Sequence, residues 1–166
     1  RWTATYKNYT VTWNGNGGTP SKSSSSFHYN DALGTLPTAT RTGYTFKGWS
    51  TSASGSVNVS TTTKVTGNVT YYAVWQINSY TLTVIAGTGG TVSGGGTYNY
   101  GATATLKATP SAGYHFVKWS DGNTNASRTV TVTGNATYTA TFEQDPYLNL
   151  DKTSLTFEAA GGTQTV

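Results

Sequence analysis

The chain is predicted to be mainly β, two tandem copies of one small unit with little or no helix, and three observations carry that prediction. The first is an internal repeat: Gly43-Tyr44-Thr45-Phe46-Lys47-Gly48-Trp49-Ser50 returns as Gly113-Tyr114-His115-Phe116-Val117-Lys118-Trp119-Ser120. Two further anchors return in the same order. Tyr9-Thr10-Val11-Thr12 becomes Tyr80-Thr81-Leu82-Thr83, and Val65-Thr66-Gly67-Asn68-Val69-Thr70-Tyr71 becomes Val132-Thr133-Gly134-Asn135-Ala136-Thr137-Tyr138. The offsets of 71, 70 and 67 follow from the numbering, and ordered recurrence at near-constant spacing marks a duplicated structural unit. The second observation is composition. Threonine leads with 35 residues and glycine follows with 20; Thr, Val and Tyr suit a pleated, half-buried surface, while Gly and Asn suit the turns between strands. The third is period-two alternation of apolar and polar residues wherever the repeats are longest.

Residues 1–7 are expected to be the last strand of a preceding repeat, because Trp2-Thr3-Ala4-Thr5-Tyr6 has the alternation that closes both copies. Copy one, 8–77, opens with a strand placing Tyr9, Val11 and Trp13 on one face and Thr10 and Thr12 on the other. Asn14-Gly15-Asn16-Gly17-Gly18 turns the chain; without a following Lys or helix it is a turn rather than a phosphate cradle. Pro20 to Ser26 reads as loop, Phe27 and Tyr29 as a second strand, and Asp31 to Leu36 as one helical turn at most. In the motif strand Tyr44 and Phe46 point the same way. Trp49 lies three residues past Phe46, so a bulge at Gly48 is required to return it to the core side. Thr51 to Lys64 reads as loop, and Val65 to Trp75 as a hairpin around Gly67-Asn68. Its second strand directs Val69, Tyr71, Ala73 and Trp75 inward, leaving Tyr72 as the aromatic expected to be most exposed. After a linker at Gln76 to Ser79, copy two, 78–144, repeats the plan. From 145 to 166 a new alternation begins, expected to be the first strands of a third, different domain.

Each copy is small. A unit of about 70 residues buries only about 60% of its unfolded surface, so the 5 Trp, 12 Tyr and 5 Phe are expected mainly in cores. The absence of Cys excludes disulfide staples and thiol chemistry within these 166 residues. No stretch approaches the roughly 18 apolar residues of a membrane helix, and no basic-then-apolar start resembles a signal peptide. The formal charge of +4 is uneven: residues 1–120 hold eight Lys or Arg against the single acid Asp31, and residues 121–166 hold two against five. Either a mildly basic face meets an acidic polymer, or scattered lysines keep strand edges soluble. The bases form no runs, which favours the second reading and excludes a nucleic-acid tract.

Copy one resembles the internalin-type B repeat, the Listeria/Bacteroides repeat family, in Tyr9 to Gly18, in Gly43-Tyr44-Thr45-Phe46-Lys47-Gly48-Trp49 and in Tyr72-Ala73-Val74-Trp75. Copy two is similar to the divergent branch, with Gly113 to Trp119 kept and Phe142 where copy one has Trp75. The tail resembles the opening strands of the Bacteroidetes-associated carbohydrate-binding domain, an immunoglobulin-like sandwich. The resemblance implies small β-grasp, ubiquitin-like units strung along an extracellular bacterial surface protein.

Little in the sequence offers chemistry. His28 and His115 have no Cys, His or acid cluster at metal-ligand spacing, so no metal and no cofactor is expected. Asp121 and Glu143 could be offered as a glycosidase pair, but copy one has Thr51 and Gln76 there and a unit this small rarely encloses the required cleft. No activated nucleophile is present, and an enzyme is not expected. The leading expectation is a monomeric, semi-rigid spacer or adhesin stalk. The alternative is a module binding cell-wall or host glycans or an acidic polymer, with Tyr72 first, Trp49 and Trp119 next, and Lys47 engaging acidic groups. A further alternative is capture of a host surface protein along an exposed strand edge.

Overall fold

A computed structural model describes residues 6–146. Of the strand expected at 1–7, residues 1–5 lie outside the described residues and Tyr6 and Lys7 belong to no strand; of the new domain expected from 145 to 166, everything beyond Pro146 lies outside the described residues. Copy one contributes β1 (Asn8–Asn14), β2 (Thr19–Pro20), β3 (Ser24–His28), β4 (Ala39–Thr40), β5 (Tyr44–Ser50) and β6 (Val69–Ile77). Copy two contributes β7 (Ser79–Ala86), β8 (Gly90–Ser93), β9 (Gly96–Asn99), β10 (Thr103–Pro110), β11 (Tyr114–Trp119), β12 (Ser127–Thr131) and β13 (Ala136–Gln144). Among the described residues there is no helix, and Asp31 to Leu36 holds only a bridge and bends.

Both copies build the same four-stranded sheet, in the order β3-β1-β6-β5 and β9-β7-β13-β11. The two central strands run parallel, Val11 opposite Val69 in copy one and Leu82 opposite Ala136 in copy two. The flanking pairings are antiparallel. The second layer differs between copies. Copy two has a regular sheet, β8-β10-β12, whereas copy one has the β2-β4 pair and a single bridge from Ala32 to Lys64. Backbone bonds from Leu33 N–H to Thr63 O (3.0 Å) and from Gly34 N–H to Thr61 O (2.9 Å) continue that bridge in place of a strand pair.

The two cores differ in composition as well. In copy one Trp49 packs against Trp13 (4.9 Å between centroids) and Phe46 (5.4 Å), and Trp13 against Tyr71 (5.5 Å). Copy two keeps Phe116 against Trp119 (5.6 Å) and Phe142 (5.9 Å), but Val84 stands at the position of Trp13. Ala104, Leu106 and Ala108 of β10, all buried, join this core with Val130 of β12. Burial also pushes the Tyr71 phenol above its ordinary pKa.

The bulge is present in both copies. Register shifts between Phe46 and Gly48 and again between Phe116 and Lys118, and it returns each Trp to the buried side. The hairpin at Gly67-Asn68 is not formed. Val65 is buried outside any strand, and β6 lies beside β1 and β5 rather than beside the residues preceding it. Asn68 acts instead at the crossover, its Oδ1 accepting the Thr10 N–H at 2.8 Å, and Asn135 does the same for Thr81 at 2.8 Å. The Asn side chain satisfies a backbone donor at the entry to the parallel pair, a role that a turn propensity alone does not distinguish.

Candidate functional site

The four residues singled out for ligand binding do not form one site. Trp49 and Trp119 are 0% exposed, and each indole N–H donates to a carbonyl, Pro37 O at 2.8 Å and Asn125 O at 2.9 Å. They are core residues and present no face for a sugar. Tyr72 is half-buried on the central strand β6, opposite Asn14 and Ser50, so it is not the most exposed aromatic. Tyr6 at 71% and Tyr29 at 64% hold that place. Lys47 is exposed on β5, inside the bulge.

Two other arrangements are better defined. The first is an open cleft in copy one lined by Gly17, Gly18, Thr19, Ala39, Thr40, Arg41, Thr42 and Tyr44. Arg41 lies over the Tyr44 ring, its guanidinium carbon 3.8 Å from the centroid, and its Nη1 donates to Asn16 O at 3.4 Å. The opposite side is closed by the glycine turn, where a Cβ on Gly17 would lie 3.2 Å from the guanidinium carbon. The turn itself is held by Asn16, whose Nδ2 donates to Ala53 O (2.8 Å) and Ala73 O (3.0 Å). Among the described residues Arg41 makes no salt bridge. The cleft therefore offers a flat, pre-oriented cation beside threonine hydroxyls, the arrangement that favours carboxylate or sulfate oxygens. Copy two has Ser111 in place of Arg41, and its Tyr114 closes directly onto Gly89. Arg41 does not stand out in the sequence because its contacts to Asn16 and to the Gly17 turn are long-range; the local Arg41-x-x-Tyr44 spacing was the one available hint.

The second arrangement is the joint between copies. Asn78 alone separates β6 from β7, and it bonds to both sides: its N–H to Gly43 O (2.9 Å), its C=O from the Tyr100 N–H (2.8 Å), and its Oδ1 from the Thr45 hydroxyl (2.6 Å). The Tyr100 ring covers Gly43 so closely that a Cβ there would lie 2.0 Å from its Cδ1. Ser79 adds a bond from its hydroxyl to Asn99 Oδ1 at 2.9 Å.

Three acid–base pairs stand apart from one another among the described residues. His28 faces Asp31 at 3.3 Å and His115 faces Asp145 at 2.9 Å, and no cluster of three or more metal-ligating side chains occurs among the described residues. Asp121 is bound by the Arg128 guanidinium at 2.6 and 2.7 Å, which holds its carboxyl below the usual range. A depressed pKa contributes stability above the unfolded value and loses it as pH falls, so copy two is expected to weaken below about pH 4. The pair is 39% exposed on the Asp121 side, and the contribution is at most about 1 kcal/mol. Urea unfolding of copy two at pH 7 and pH 3 should show the loss, and Asp121→Asn should flatten it.

The described residues thus define a class: tandem small all-β units whose large aromatics are placed in their cores and at their joint. Residues 9–74 match the Listeria-Bacteroides repeat domain, and residues 80–146 match the divergent InlB B-repeat domain. Both are bacterial repeat domains of the surface-protein type, and such repeat families are generally non-catalytic. Neither a curated protein nor a solved structure matched the chain.

Proposed function

We propose that this chain is a non-catalytic spacer of an extracellular bacterial surface protein, its two copies acting as one semi-rigid stalk segment. The single observation that carries this reading is the Asn78 joint, because a one-residue connection bonded to both sides leaves little freedom for a hinge. The order of the four-stranded sheets, with parallel central strands, supports a β-grasp-like unit in which short strands and loops stand where a grasp carries its helix. Small-angle scattering should give one maximum dimension that does not change between low and high salt. A broad distribution of dimensions, as from two beads on a string, would remove the stalk reading.

A second reading is favoured by Arg41. A guanidinium held flat on Tyr44 without a carboxylate partner suits an acidic wall or host glycan, and it replaces the lysine and tryptophan set as the better candidate surface. One charge-assisted contact is worth about 1.5 kcal/mol, so Arg41→Ala is expected to weaken binding of a sulfated polysaccharide roughly tenfold. Titration at low and high salt, with Tyr72→Ala and Lys47→Ala beside it, checks this; equal loss in Arg41→Ala and Lys47→Ala with none in Tyr72→Ala would point to diffuse charge instead. Binding of a host protein along the edge strands β3 or β5 remains the third reading and would survive Arg41→Ala.

A further inference from the structure

In each copy the first strand and the last lie side by side and run the same way. β1 pairs with β6 from Val11 opposite Val69 to Asn14 opposite Tyr72, and β7 pairs with β13 from Leu82 opposite Ala136 to Ala86 opposite Ala140. The chain therefore enters copy one at the start of β1 and leaves it at the far end of β6, with the parallel ladder between. Tension along the chain slides one strand past the other, so the evenly spaced bonds of the ladder share the load and must yield together. An antiparallel pair pulled from one end opens bond by bond instead.

Both ends of each ladder are clipped. At the entry, Asn68 Oδ1 accepts the Thr10 N–H and Asn135 Oδ1 accepts the Thr81 N–H, each at 2.8 Å. At the exit of copy two the Gly87 N–H donates to Ala140 O at 2.9 Å. The matching carbonyl of copy one, Ala73 O, takes the Asn16 Nδ2 at 3.0 Å. A side chain and a backbone amide thus close the same end of the ladder in the two copies. Trp13 and Tyr71, opposite each other in the copy-one ladder, also pack ring against ring at 5.5 Å. Between the copies Asn78 alone joins β6 to β7, so tension passes from one ladder to the next through no slack loop.

We infer that each copy is a tension-bearing unit whose clipped parallel ladder acts as a shear clamp, and that the segment's further function is to hold load along the chain. The inference rests on the spacer reading and deepens it: a spacer keeps distance, and this one also resists pull. Forced unfolding follows the unfolding rate along the pulled axis rather than equilibrium stability, so even a small unit can hold load. The axis is what the order of the strands supplies.

Single-molecule force spectroscopy of the full chain tests this. The sequence has no cysteine, so paired substitutions give unique handles. Gln76→Cys with Gln144→Cys pulls β7 against β13 along the ladder. Ser111→Cys with Gln144→Cys pulls where Tyr114 stands opposite Gln144 and peels β11 from β13 pair by pair. All three handle positions are exposed. Copy two is expected to survive several times more force on the first axis than on the second, and then to release roughly 200 Å of chain in one step. Asn135→Ala should speed rupture on the first axis about fivefold at fixed force, the loss of one hydrogen bond, and leave the peeling rate unchanged. Equal resistance on both axes, or a loss in Asn135→Ala shared by both, would overturn the inference. The spacer reading is judged apart, by the scattering dimension without load: a flexible joint would remove that reading while the clamp within copy two still held.

Discussion

Trp49→Ala is expected to unfold copy one while copy two keeps its structure, and Trp119→Ala is expected to do the reverse. Each indole is fully buried, and each holds a backbone carbonyl that no other side chain reaches in the described hydrogen bonds. Removing a buried Trp costs about 3–5 kcal/mol, and leaving Pro37 O or Asn125 O unpaired adds about 1–3 kcal/mol. A unit of some 70 residues has in total roughly 4–10 kcal/mol to lose, so either substitution removes most of it. Amide dispersion read copy by copy gives the result. Loss of both copies from a single substitution would mean that the joint makes them one cooperative body.

Gly43→Ala is expected to open the joint without unfolding either copy. Two penalties coincide there: the left-handed φ of +78, costing about 1–2 kcal/mol for an L side chain, and a methyl placed inside the Tyr100 ring. Gly113→Ala meets the first penalty alone, since its φ is +77 but the described space around it is open. The pair separates backbone strain from docking. Both variants should lose similar stability within their own copy, whereas only Gly43→Ala should let the copies tumble with separate correlation times. If the two variants tumble alike, Tyr100 does not hold the joint.

What was legible in the sequence follows the range of the interactions involved. The repeat, the all-β character and the aromatic cores came through because alternation and composition are local consequences of a half-buried strand. Even the bulge was readable, because Phe46 and Trp49 both need the core and three residues cannot bring them to one side without an extra one. The Gly67-Asn68 and Gly134-Asn135 turns misled because a glycine-asparagine pair fits a hairpin, whereas here the Asn side chain serves the Thr10 or Thr81 amide across a parallel crossover. That pairing joins residues 58 and 54 positions apart and leaves no local trace.

The candidate site was the least legible part. Alternation put Tyr72 on the outer face correctly but says nothing of what lies over that face, and the neighbours of a central strand half-cover it. Arg41 became a candidate only through the Gly17 turn, which lies on a separate segment and closes the cleft beside the Arg41–Tyr44 stack. The joint was similarly hidden: Gln76 to Ser79 reads as a polar linker, yet Gln76 and Ile77 belong to β6, Ser79 to β7, and Asn78 is the whole connection.

The central claim is that the two copies form one body through Asn78, Gly43 and Tyr100, and residual dipolar couplings test it most directly. A single alignment tensor is expected to fit the amides of β1, β5, β6, β7, β11 and β13 together, with equal magnitude in both copies and no change at high salt. Two tensors of different magnitude, one for each copy, would contradict it and leave a flexible tether in place of a stalk.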